Sequence, residues 1–101
     1  MLDAAREAIS FAAGRSRDDL DHDRMLVLAI VKDVEIIGEA AARTTATARA
    51  AYPDVPWAQI IAMRNRLIHA YFDVDLQVVW DTVTVDLPQL ISVLEPLARG
   101  A

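Results

Sequence analysis

Apolar residues recur at spacings of three and four through most of this chain, the signature of helices buried along one face. The clearest run lies between about Asp23 and Ala42. There Leu26, Val27, Ile30, Val31, Val34, Ile37 and Ala41 form one stripe and predict the longest and most buried helix. Upstream, Asp3 can cap a first helix with Ala5, Ala8, Ile9 and Ala12 on one face, and Gly14 is placed to end it. Ser16-Arg17-Asp18-Asp19 reads as the start of a second, with Asp19 near a capping-box position. Thr44 to Ala51 predicts a short helix. Tyr52-Pro53-Asp54-Val55-Pro56 predicts a loop, with Pro56 suited to the first position of a helix from Trp57 to about Tyr71.

Past Phe72-Asp73-Val74, Asp75 can cap a helix whose stripe is Leu76, Val79, Trp80, Val83, Leu87, Leu90, Ile91 and Leu94. Local propensity dissents here. Val78-Val79 and Thr82-Val83-Thr84-Val85 ahead of Pro88 would pass for an edge strand, but the helical period holds over five turns, and we read a helix bent at Pro88. The expected fold is all-α, a compact antiparallel bundle of four to five helices forming one domain over residues 1–101.

Composition narrows the setting. Of the 101 residues, 54% are hydrophobic and the mean hydropathy is +0.24, so part of the apolar surface is expected to be buried against a second copy. No run reaches the roughly 20 apolar residues of a spanning helix. The opening Met1-Leu2-Asp3-Ala4-Ala5-Arg6 lacks a signal peptide's layout, so the expected location is cytoplasmic and no membrane partner is expected. The absence of cysteine excludes disulfides, thiolate metal sites and a cysteine nucleophile.

A net charge of −5 argues against a nucleic-acid partner at first sight. Its distribution changes that. Between Ala40 and Phe72, Arg43, Arg49, Arg64 and Arg66 face only Asp54. From Asp73 onward, Asp73, Asp75, Asp81, Asp86 and Glu95 face only Arg99. One locally positive region can meet RNA while acidic faces meet a basic protein. The run Asp18-Asp19-Leu20-Asp21-His22-Asp23 lacks the glycine and ordered spacing of a calcium loop and reads as a solvated helix start.

The candidate chemistry lies in Ala62-Met63-Arg64-Asn65-Arg66-Leu67-Ile68-His69-Ala70-Tyr71, which gathers a permanent cation, a titratable imidazole and a phenol within two helical turns. A guanidinium can grip a phosphate with two hydrogen bonds, and an imidazole can move the proton that lets an RNA 2′-hydroxyl attack. On one straight helix Arg64 and Tyr71 nearly align, but His69 lies about 140° round the axis from Arg64. Either the helix loosens near His69 or two copies of the motif converge. Taken singly, Arg64 suits a surface ion pair, His69 a helix-end histidine, and Tyr71 a core cap.

Three blocks carry a family resemblance: Ile36-Ile37-Gly38-Glu39-Ala40-Ala41; Pro56-Trp57 with Met63 to Tyr71; and Val79-Trp80 with Asp86-Leu87-Pro88. In order and spacing they resemble the HEPN superfamily, specifically its small HepT-like toxins, from about His22 to Leu97. The resemblance implies a metal-independent endoribonuclease toxin that needs no cofactor. It implies a homodimer formed through the motif-bearing helices, with Arg64 and His69 as catalytic residues lining a shared cleft. Asn65 matches the polar residue that follows the arginine in that family and would orient the imidazole or contact RNA, while Arg66 would contact the RNA backbone. Glu39 is a candidate to buttress Arg64 or His69 from behind. Tyr71 matches a tyrosine adenylylated by a cognate nucleotidyltransferase antitoxin, which would neutralise the toxin. The rival reading is a non-catalytic helical dimer that binds nucleotide or RNA and docks a nucleotidyltransferase. A plainer one is an oligomeric scaffold.

Overall fold

The computed structural model describes residues 1–67 and 74–99. Every regular element among them is helical. In chain order these are α1 (Leu2–Ala12), α2 (Asp19–His22), α3 (Arg24–Arg43), α4 (Ala46–Ala51), α5 (Trp57–Leu67), α6 (Leu76–Asp81), a π turn (Thr82–Asp86) and α7 (Leu87–Ala98). The last three run on without a break, so the described residues hold six helical stretches rather than four to five. The extra ones come from α2 and α4, which stand as separate short turns.

Caps set most of the boundaries. The Asp23 carboxylate accepts from the Leu26 N–H at 3.1 Å, and Thr45 Oγ1 accepts from the Ala48 N–H at 3.1 Å. Asp75 accepts from both Gln77 and Val78. Each satisfies backbone donors that a helix start leaves without a partner. Asp19 reaches back to the Ser16 N–H at 2.7 Å, one half of a capping box. That N–H, and then Arg15, hold the Asp19 carboxyl below the usual carboxylate range. Arg15 first, and then the Leu26 N–H, do the same for Asp23. At the first helix the expectation was misplaced: α1 begins at Leu2, and Asp3 lies inside its first turn rather than capping it. Gly14, at φ +73°, lies just beyond the helix end, in the left-handed region that glycine tolerates.

The core is built around α3. Its seven predicted stripe residues are all buried, and α3 packs on α1 along one side and α5 along the other, while α1 also meets α7. Val79, Val83, Leu87, Leu90 and Leu94 close the core from the C-terminal run. The run stays helical through its β-branched stretch because that stripe needs the 3.6-residue period to reach the core.

The bend expected at Pro88 takes the form of a widened turn. The Leu87 N–H bonds to the Thr82 carbonyl, five residues back. Proline has no N–H to give, and its ring crowds the carbonyl four residues earlier, that of Thr84. A π turn just upstream absorbs both defects. Thr84 Oγ1 also turns back to the Trp80 carbonyl at 2.7 Å.

The molecule measures 42 × 28 × 16 Å along its principal axes. One face of α3 is left outward, with Met25 81%, Leu28 48% and Ile36 43% exposed. No helix among the described residues is long and apolar enough to cross a membrane.

Candidate active site

The loop before α5 is closed by Trp57, whose indole N–H donates to the Tyr52 carbonyl at 3.2 Å, and the Pro56 carbonyl receives the Ile60 N–H at 3.0 Å. Ile60, Met63 and Leu67 then face the core at spacings of three and four. That rotation fixes the rest of the helix. Arg64 comes round to the side facing α3, partly buried, while Asn65 and Arg66 are exposed.

Arg64 lies against Gly38 of α3. A Cβ placed on that glycine would stand 2.5 Å from Arg64 Cβ and 2.6 Å from Cγ. The aliphatic stem of Arg64 therefore occupies the space that any other residue at position 38 would fill. At the far end, one terminal nitrogen donates to Asn65 Oδ1 at 3.2 Å. Nε is buried and has no hydrogen-bond partner among the described residues. The guanidinium is thus held at its stem with Nε shut away from solvent, and the donor capacity left for a phosphate or carboxylate is that of the terminal nitrogens.

The other expected residues separate around this point. Glu39 is exposed, and no hydrogen bond or ion pair joins it to Arg64; the contact from α3 comes from its neighbour Gly38. Arg66 reaches Asp86 of the π turn at 3.8 Å, and with both side chains well exposed the pair is worth about 0–1 kcal/mol. It borders a cleft of about 450 Å³ floored by Ile60, Met63 and Leu90, which Arg64 and Asn65 do not line. His69 and Tyr71 lie outside the described residues.

Sequence reasoning missed two features. Arg49, counted as part of the positive region, has its guanidinium on the Ala41, Ala42 and Thr44 carbonyls, where it caps the C-terminus of α3. Asp33 is buried, only 3% exposed, with Oδ2 lacking a partner among the described residues. Its spacing, three residues after Ile30 and four before Ile37 at the edge of the apolar stripe, was the signal that could have found it.

A family model described as "Ribonuclease HepT-like" matches residues 1–97, so the likeness includes the first helix as well as the region from His22. The chain is 38% identical to "Probable ribonuclease HepT" of Thermococcus cleftensis over 82 residues, 81% of this chain and 74% of that protein. It is 32% identical to "Putative RNase MJ1380" of Methanocaldococcus jannaschii over 95 residues, 94% of this chain and 87% of that one. No solved structure matches. The family match runs along nearly the whole chain and the described fold is all-helical: this protein belongs to the HepT-like ribonucleases of the HEPN superfamily.

Proposed function

We propose that the protein is a metal-independent endoribonuclease whose site forms between two copies of the chain, the toxin of a pair with a nucleotidyltransferase antitoxin. The observation that carries this reading is Arg64, braced against Gly38 with donors on its terminal nitrogens to spare, in a chain of ribonuclease family. Arg64 balances the charge gathering on phosphorus. An imidazole of His69 takes the 2′-hydroxyl proton as the bond from O2′ to phosphorus forms. As the bond from phosphorus to O5′ breaks, an imidazolium returns a proton to the leaving oxygen, and a 2′,3′-cyclic phosphate remains. Asn65 orients this assembly and Arg66 contacts the RNA backbone.

Two copies would supply the geometry that an ideal straight helix denies, since a step of five residues sets two side chains about 140° apart around its axis. Met25, Leu28 and Ile36, outward on α3, present apolar surface that a second copy would cover. Transfer of AMP to the Tyr71 hydroxyl by the antitoxin would put bulk and negative charge where an RNA phosphate sits, silencing the enzyme. The acidic balance of −5 favours a second reading, a non-catalytic dimer that binds RNA or nucleotide and docks the nucleotidyltransferase.

The test is cleavage of RNA by the purified protein in EDTA. The wild type is expected to cut and leave cyclic phosphate ends, and His69→Ala to lose roughly 10²–10⁴-fold in rate. Equal cutting by both would remove His69 from the mechanism, and no cutting by either would favour the binding module.

A further inference from the structure

Gly38 interrupts α3 at a point where nothing in the backbone asks for glycine. Gly14 is the one described residue with positive φ, so Gly38 has an ordinary helical conformation. A glycine inside a helix costs about 0.5–1 kcal/mol relative to alanine, and here it follows Ile36 and Ile37 in the most buried helix of the fold. What it provides is room for one side chain. The three atoms nearest its missing Cβ all belong to Arg64, at 2.5 Å for Cβ, 2.6 Å for Cγ and 3.3 Å for Cδ. Arg64 Cβ is bonded to the α5 backbone and cannot swing aside, so a methyl at position 38 would push the two helices apart or drive the arginine stem out of its groove.

We propose that Gly38 is the positioning residue for Arg64: it forms the seat across which the stem lies, so that the guanidinium leaves the helix pair in one direction. The proposal rests on the catalytic reading of Arg64 given above. The stem is constrained as far as the buried Nε, and Asn65 Oδ1 meets one terminal nitrogen, so few orientations remain for the planar group. A bidentate grip on a phosphate depends on that orientation, and a misplacement of about 1 Å is enough to cost as much as 10²-fold in rate.

Three variants test it: Gly38→Ala, Arg64→Gly and the two combined, each followed by thermal melting and by kcat and KM for RNA cleavage. Gly38→Ala is expected to melt several degrees below wild type and to lose about tenfold or more in kcat, with KM within about threefold. In the Arg64→Gly background the added methyl has space, so the same substitution should leave the melting midpoint unchanged or raised and the residual rate unaltered. If Gly38→Ala alone fails to fold, recovery of folding in the double variant supports the seat. A double variant that also fails, or an equal loss of stability in both backgrounds, overturns it, because the glycine then serves only the helix crossing. Wild-type kcat in Gly38→Ala beside an inactive Arg64→Gly also overturns the seat and leaves the role of Arg64 intact. Full activity in Arg64→Gly refutes the catalytic reading itself, and positioning falls with it.

Discussion

Replacement of Arg64 by alanine is expected to slow RNA cleavage by roughly 10²–10³-fold at saturating RNA, about 3–4 kcal/mol of lost transition-state stabilisation. On the proposed reading, the charge that builds on the phosphoryl oxygens has no other described cation held in the same way. Arg66 is drawn toward Asp86 beside a different cleft, and Arg49 is engaged by backbone carbonyls. Lysine should recover only a small part of the rate, because an ammonium offers a point charge where a planar fork is needed. Stability should change far less, by about 1 kcal/mol, since the loss is that of a partly buried stem on a glycine. Single-turnover rates together with melting midpoints separate the two effects. An Arg64→Ala protein that cleaves within threefold of wild type would remove the guanidinium from the mechanism.

The second large effect concerns stability and its response to pH. Asp33 is buried among the apolar residues of α3 near Glu7 of α1, and burial first, then Glu7, push its carboxyl up to about 6. The folded protein therefore holds a proton between pH 4 and pH 6 that the unfolded chain has released. Stability is expected to fall as pH rises through that window and then level off, by on the order of 3 kcal/mol at about 1.4 kcal/mol per pH unit. Asp19 and Asp23 act in the other direction: with lowered values in the fold, their contribution is lost only as pH drops below the ordinary carboxylate value, outside this window. Asp33→Asn should raise stability at pH 7.5 by about 1–2 kcal/mol and flatten the slope between pH 4 and 6. Urea midpoints at pH 4.5, 6 and 7.5 check it, and a wild type that gains stability steadily from pH 4 to 6 would contradict the burial of a charged Asp33.

The helices were legible because their signals are local. Asp23 and Asp75 sit where an acceptor side chain meets exposed N–H groups, and the α3 stripe repeats without interruption. The run Thr82 to Val85 shows the limit of propensity, since β-branched residues went into a π turn where Val79, Val83 and Leu87 had to reach one core. The candidate site was legible as a motif, but the contact that seats Arg64 was not. Twenty-six positions separate Gly38 from Arg64, and only the packing of α3 on α5 joins them, so a glycine inside a periodic helix was the sole hint. Asp33 was hidden by its own polarity, although the spacing from Ile30 and Ile37 already placed it inward. Arg49 was counted as surface charge because a capping arginine from the next helix has no fixed spacing to announce it.

Mixing two inactive proteins tests the shared site most directly. Arg64→Ala and His69→Ala chains, combined and allowed to exchange subunits, form mixed dimers in which one site draws its arginine and its histidine from the two unmutated positions. If the groups converge from different copies, RNA cleavage in EDTA should return to roughly a quarter of the wild-type rate in an equal mixture. If exchange is complete and the mixture stays as inactive as its components, the site does not bridge two copies of this chain.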